Sequence, residues 1–358
     1  MGAPTGSDAR EDRYHAGERT LTILVTGGAG YIGSHTVHRL RELGEDVAIL
    51  DDLSEGHVEA IPEGVELLRV DLKDRAAVHA ALQAARPESV FHFAASCYVG
   101  ESVEKPADYY AQNFEATKNL LDAMIAADCK RFVFSSTCAV YGEPERIPIV
   151  EDLPKAPVNP YGRTKLFCEG LLEDYERAYG LASCSLRYFN AAGAHPSGDI
   201  GEDHEPETHL IPIVLQVALG QREHVAIFGN DYPTPDGTCI RDYIHVLDLA
   251  EAHVLGLTAM REGKFTRNAF NLGNEEGHSV LQVIEEARRL TGHEIKAVDA
   301  PRRAGDPPKL VGSSARAKAE LGWKPRFGDL TSILETAWNW HETHPHGYRS
   351  VPSDRSGA

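Results

Sequence analysis

Tyr161 and Lys165 stand four residues apart in Pro160-Tyr161-Gly162-Arg163-Thr164-Lys165. On a helix that spacing brings a phenol and an ammonium onto one face, one turn apart. Pro160, with Asn159 before it, suits the start of such a helix. A neighbouring ammonium favours the phenolate, so the pair predicts a tyrosine pKa that falls towards neutrality. Such a group takes a proton from a hydroxyl as hydride leaves the same carbon. Upstream, Ser135-Ser136-Thr137 ends the apolar run that starts at Arg131. Thr137 is the hydroxyl expected against the substrate oxygen, with Ser135 and Ser136 on the cofactor side. Each feature alone has a plainer reading, because Y-x-x-x-K arises by chance and a threonine can simply close a strand.

A cofactor for this chemistry is signalled earlier in the chain. The apolar run Leu21 to Val25 stops at Gly27-Gly28-Ala29-Gly30-Tyr31-Ile32-Gly33, and a helix-compatible stretch follows. That pattern predicts a buried strand turning sharply into a helix, with Gly27, Gly30 and Gly33 where side chains would obstruct. The turn exposes backbone N–H groups at a helix N-terminus, where the macrodipole favours a pyrophosphate. A second apolar run, Val47 to Leu50, ends in Asp51, 18 residues past Gly33. That is close to the spacing of a carboxylate holding an adenosine ribose. No arginine directly follows Asp51, so NAD is expected rather than NADP.

Further strands are expected at Val65 to Val70, Ser89 to Phe93, Arg131 to Phe134 and Cys184 to Tyr188. Helical spacing separates them at Arg75 to Ala85, Ala107 to Ala127 and Tyr161 to Tyr179. The alternation predicts an α/β fold, a Rossmann-type doubly wound parallel sheet with ligands at the carboxyl ends of its strands. Beyond Asn190 the texture becomes loop-rich, which suggests a smaller, interrupted α/β substrate domain. The expected layout is a disordered extension over 1–20 and a dinucleotide domain over 21–190, joined again by 238–262. Residues 191–237 and 263–347 form the substrate domain, and 348–358 a flexible tail. The net charge of −18 argues against a nucleic-acid partner, and no apolar stretch is long enough for a membrane span. Residues 1–20 lack the apolar core of a secretory signal. Six cysteines without a C-x-x-C pair read as reduced cytoplasmic thiols, and the 17 histidines look scattered, so no metal is assigned.

Six segments now come together: T-G-G-x-G-Y-I-G, S-S-T-x-x-x-Y-G, P-Y-G-x-[ST]-K, R-Y-F-N, G-T-x-x-R-D-Y-I-H-V and A-P-R-R-x-G-D-P. From about Leu21 to Gly347 the chain resembles the extended short-chain dehydrogenase/reductase superfamily. More narrowly, it is similar to the UDP-glucose 4-epimerase family. The resemblance implies an isomerase in which resident NAD+ takes hydride from C4′ of a UDP-hexose and Tyr161 takes the hydroxyl proton. The 4-keto sugar then turns over and hydride returns, which inverts the centre. It also implies that Tyr31, Ile32, Asp51, Asp52, Ser54, Asp71 and Leu72 contact the adenosine half of the cofactor. Phe93, Ala94, Ala95, Ser96 and Cys97 line its middle, while Phe189 and Lys165 meet the nicotinamide end. Asn190, Leu210, Ala226, Phe228, Arg241, Arg303 and Asp306 hold the UDP-sugar, and a homodimer forms through the helices at 107–127 and 163–179. The two arginines suit a diphosphate, since guanidinium matches phosphate in bidentate fashion.

Three positions depart from well-known family members, which carry Ser at Thr137, often Lys at Cys97, and in some cases Tyr at Leu310. Leucine at 310 leaves room for a C2 acetamido group, so UDP-N-acetylglucosamine is a second expected substrate. A 4,6-dehydratase or a UDP-glucuronate decarboxylase is disfavoured, because Cys138 and Ala139 replace the carboxylates such enzymes use. A UDP-xylose/arabinose 4-epimerase stays open, and so does a non-catalytic NAD-binding protein, although such proteins typically lose the Tyr/Lys pair.

Overall fold

The computed structural model describes residues 22–303 and 307–349. The expected extension, most of the tail and Asp306 lie outside the described residues. Six strands alternate with helices: β1 (Ile23–Thr26), β2 (Val47–Asp51), β3 (Glu66–Arg69), β4 (Ser89–His92), β5 (Arg131–Thr137) and β6 (Ala182–Tyr188). β1, β2 and β4 are buried on both faces, which is why they read as unbroken apolar runs. All pair in parallel in the order β6-β5-β4-β1-β2-β3, so every carboxyl end emerges on one edge.

A seventh strand, Arg267–Leu272, completes the sheet beside β6, with Arg267 opposite Ser183 and Leu272 opposite Tyr188. This corrects the sequence layout, which placed 263–347 wholly in the substrate domain. The asparagines of Arg-Asn-Ala-Phe-Asn-Leu hid the strand. Asn271 is nonetheless buried, where it accepts from the Tyr141 hydroxyl at 2.6 Å and donates to the Ile149 carbonyl at 3.1 Å. A buried amide with its partners satisfied is tolerated in a strand core.

One face of the sheet packs on α1 (Tyr31–Glu42) and on the helix Val246–Arg261. Ala317, Leu321 and Trp323 join that core, again from a segment assigned by sequence to the other domain. The opposite face is covered by α2 (Arg75–Ala85) and by the helices Ala116–Ala126 and Pro160–Tyr179. The single helix expected over 107–127 is interrupted. An α-helical turn Pro106–Tyr109 leads into a π-helical turn Tyr110–Glu115 before Ala116–Ala126 resumes.

The second core gathers the helices Leu210–Ala218, Val280–Thr291 and Leu330–Thr343 around the strands Val225–Phe228 and Ala297–Ala300. A capping box at Ser279, closed reciprocally by Gln282, starts the second of these helices. The tail begins later than expected. The Tyr348 ring packs on Trp340 and His57, and its hydroxyl accepts from the Gly201 amide at 3.1 Å. Among the described residues no helix is long and apolar enough to cross a membrane.

Candidate active site

The glycine turn is tight because its backbone packs against β4's loop and against itself. Gly27 has φ +71°, and a Cβ there would fall 2.5 Å from the Ala94 amide nitrogen. A Cβ on Gly33 would fall 2.0 Å from the Gly27 carbonyl oxygen. Side chains at either place would push α1 off β1 and close the gap to Ala94 and Ala95. Gly30 precedes α1, and no side chain caps the helix there. A Cβ on Gly30 would meet nothing nearer than 3.5 Å, which leaves room beside the start of α1, whose first N–H groups have no partner within the helix. This cradle fits the pyrophosphate of a dinucleotide.

Asp51, buried at the end of β2, accepts from the Ala29 amide at 3.0 Å and the Leu53 amide at 2.9 Å. Burial raises its pKa, against the pull of those two bonds. Beside it, Asp52 accepts from the Ser54 amide and hydroxyl, and Asp71 accepts from the Lys73 amide next to buried Leu72. The Tyr31 hydroxyl points across the domain junction and donates to the Gly193 carbonyl at 2.5 Å. After β4, Phe93 stacks near His253, and Ser96 is held by Asn113 through two hydrogen bonds of 2.8 and 3.0 Å. Asn113 sits in the π-helical turn and also donates to the Thr164 hydroxyl at 3.2 Å. The sequence reading missed it; its only signal was a poor helix former inside a helical pattern.

The helix Pro160–Tyr179 starts as expected, with the Asn159 side chain accepting from the Gly162 amide at 2.8 Å. Lys165 is buried and donates to the Ser135 carbonyl at 2.9 Å, with its ammonium 5.0 Å from the Phe134 ring centroid. Burial lowers its pKa to about 8. Tyr161 departs from the sequence expectation: burial pushes its pKa well above the ordinary phenol value instead of lowering it. The Thr137 hydroxyl works in the opposite direction, and the lysine is turned towards Ser135 rather than the phenol. Thr137, buried at the end of β5, accepts from the Ala139 amide at 3.2 Å.

Ser135 shares a face with Thr137, and its hydroxyl is hydrogen-bonded to Tyr188. Ser136 must point the other way. It donates to Glu169 at 2.6 Å, inside the buried Glu169–Arg187 ion pair, so its expected place on the cofactor side is not where the structure puts it.

On the substrate side, Phe189 presses its ring edge against Gly312, where a Cβ would come within 2.2 Å. Asn190 donates to the Asp242 carbonyl from both its backbone and its side chain, at 3.0 and 3.1 Å. Arg241 lies in the strand Ile240–Arg241 opposite Leu310, and its charge reaches Cys138, next to Thr137. Leu310 packs in a small cluster with Phe189, Cys138 and Val140. Ala226 and Phe228 share the half-exposed face of their strand, and the Arg303 guanidinium lies 3.9 Å from the Phe228 ring centroid. Leu210 opens the helix Leu210–Ala218. The sequence reading also passed over Asp242, buried between Arg241 and Tyr243, which accepts from the Asn274 and Gly312 amides at 2.9 and 3.1 Å. It overlooked a group of four as well: Glu202, His204, Glu207 and His209, which the structure draws together out of histidines that look scattered.

Fold and glycine turn together define a dinucleotide-binding α/β protein with a parallel seven-stranded sheet. The chain belongs to the NAD dependent epimerase/dehydratase family, whose model matches residues 23–273. It is 54% identical to a UDP-glucose 4-epimerase of Halalkalibacterium halodurans, over 94% of this chain and 100% of that one. A crystal structure of UDP-glucose 4-epimerase superposes with a TM-score of 0.90 at 50% identity, covering 92% of this chain and 100% of that chain. The UDP-glucose 4-epimerase from Brucella ovis in complex with NAD gives 0.86 at 46% identity, covering 89% and 97%.

The buried lysine generates a stability prediction. With its pKa lowered from 10.5 to about 8, the folded chain binds fewer protons than the unfolded chain between those pH values. Stability from this group therefore rises with pH across that window, and below it the charge is a full cost to the fold. Lys165→Met removes the cost. Its stability relative to the parent should be greatest at about pH 7 and fall by on the order of 3 kcal/mol by about pH 10.5. Urea unfolding at the two pH values measures this, and a difference independent of pH would contradict a depressed lysine.

Proposed function

We propose that the chain is an isomerase that inverts C4′ of a UDP-hexose, interconverting UDP-glucose and UDP-galactose with NAD as resident cofactor. The observation that carries this reading is the meeting of Thr137, Tyr161 and Lys165 at one sheet edge. The glycine turn follows β1, two strands from β5 in the same sheet, the Arg241 charge reaches Cys138 beside Thr137, and Arg303 lies over Phe228. Gly27, Gly30, Gly33 and Asp51 hold the adenosine and pyrophosphate end of NAD, while Lys165 and Phe189 meet the nicotinamide end. When bound, NAD+ supplies the acceptor and donor of the C4′ hydride.

The protein's own part is proton handling and enclosure. Tyr161 takes the proton of the 4′-hydroxyl, with Thr137 as hydrogen-bonding partner of the same oxygen, and later returns it. Lys165 places a positive charge beneath the site that favours the phenolate once the pocket is filled. Arg241, Arg303 and Asn190 grip the UDP portion, so the sugar can turn about its anchored end without leaving. Cys138, whose thiol burial pushes up to about 12, offers no acid for an elimination, and that weighs against a dehydratase.

A homodimer fits the exposed aromatic strip on two neighbouring helices. Phe167 is 48% exposed and lies against Tyr110 and Phe114. A cytoplasmic location fits six cysteines that form no disulfide among the described residues.

Three outcomes check the reading. Tyr161→Phe should lose about 10²- to 10⁴-fold in kcat while keeping its NAD, as expected for a general base. Undiminished epimerisation in a panel of UDP-sugars would remove Tyr161 from that role. Leu310→Tyr should depress kcat/KM for UDP-N-acetylglucosamine at least ~10-fold more than for UDP-glucose. A parent enzyme with no turnover of the acetamido sugar would end that idea. Phe167→Asp should shift sedimentation from dimer to monomer, and a parent that sediments as a monomer would exclude the interface.

A further inference from the structure

Beside the nucleotide-site residues Tyr31 and Leu210, the loop ahead of the helix Leu210–Ala218 carries Glu202, His204, Glu207 and His209. One ligand atom from each lies within 4.8 Å of all the others. His209 Nδ1 is 2.9 Å from both Glu202 Oε1 and Glu207 Oε1. His204 Nδ1 is 3.3 Å from Glu202 Oε1 and 3.7 Å from Glu207 Oε2. A tetrahedral ion with bonds of about 2.0–2.1 Å sets its ligand atoms about 3.3–3.4 Å apart. The four histidine–carboxylate distances, 2.9–3.7 Å with Glu207 offering either of its oxygens, lie on both sides of that value.

Two further observations point inward. The two carboxylates are almost wholly buried, with side-chain exposures of 5% and 3%, and demand positive charge beside them. The buried His204 Nδ1 has no hydrogen-bond partner, although a carboxylate oxygen lies within reach. A nitrogen aimed between two carboxylates, rather than along a bond to either, has the direction of a ligand to a shared centre. Glu207 is also braced from outside: its Oε1 accepts from the Thr208 and His209 amides at 2.7 Å each. Such supporting bonds orient a ligating carboxylate.

We propose that Glu202, His204, Glu207 and His209 bind one divalent cation of the zinc class, as a closed structural site. Two imidazoles and two carboxylates suit a borderline-soft ion in tetrahedral geometry. A divalent ion neutralises both carboxylates and leaves both imidazoles uncharged. With four protein ligands the site leaves no position for a reacting group, so its work is mechanical. The His204 ring sits edge-on to Tyr31 at the start of α1 and to Tyr98, and His209 directly precedes Leu210. The ion therefore pins the loop leading to the substrate domain against the dinucleotide domain.

The test uses the full chain purified without chelator or affinity metal. Elemental analysis should find ~1 zinc per chain, the stoichiometry of a closed site. EDTA should remove it and lower the thermal midpoint, and micromolar ZnCl2 but not MgCl2 should restore both. His204→Ala and Glu207→Gln should lose the zinc and its thermal shift, and the exposed His224→Ala should keep both. Chelator-treated parent that takes up no zinc and shows no thermal shift would overturn the proposal, leaving two histidine–glutamate ion pairs. So would zinc that survives in both ligand variants. The parent titration decides the matter even if a ligand variant fails to fold.

Discussion

An ammonium group inside a protein is costly unless something answers its charge, and among the described residues Lys165 meets a carbonyl oxygen and an aromatic face. Much of the site is arranged to hold it there. β5 must end where its Ser135 carbonyl meets the amine, and the helix Pro160–Tyr179 must start close enough for the side chain to reach. Asn113 helps to seat that helix, because one amide ties it at Thr164 to the loop after β4 at Ser96. The π-helical turn that bears Asn113 is the local distortion that lets one side chain serve both neighbours. Placing the charge low also keeps Tyr161 a phenol until a ligand changes its surroundings, since burial alone pushes its pKa upward.

The parts of the molecule legible in the sequence were those governed by short-range rules. Glycine spacing, the apolar runs and the Asn159-Pro160 start each act within a turn or a strand, and each appears where the residues call for it. The convergence of Arg303 with Phe228 and of Arg241 with Thr137 came only through the family resemblance, because no local rule links such distant segments. What stayed hidden depends on distant partners. The strand Arg267–Leu272 reads as a loop until Tyr141 and Ile149 satisfy Asn271. The pKa direction of Tyr161 follows from how deeply it is packed, which helical spacing cannot report. Asp242 and the four-residue His/Glu group become conspicuous only when the carboxylates are seen to be buried. Ser136 turns away from the cofactor side because side chains alternate along β5, which carries its hydroxyl to Glu169.

The two domains are laced together rather than joined by a hinge. Trp323, from near the end of the chain, lies in the core beneath the parallel sheet and donates to the Asp248 carbonyl at 2.9 Å. Tyr31 reaches across from the glycine turn to Gly193, and Asp242 knits Asn190, Asn274 and Gly312 around the strand that carries Arg241. Such cross-links suit a site that must keep an oxidised sugar from escaping between two half-reactions, because they restrict opening to loops rather than whole domains.

The sheet's last strand has a consequence for how the molecule comes into being. β6 ends at Tyr188, and the strand that covers its edge begins only at Arg267, after the whole of the second domain's first segment. While the chain emerges from the ribosome, the dinucleotide half can therefore collapse but cannot finish. Its outermost strand waits with an open row of hydrogen-bonding groups, the kind of edge that recruits stray strands. Final closure awaits contacts between residues far apart in the chain, which places the slow and vulnerable stage of maturation at that edge.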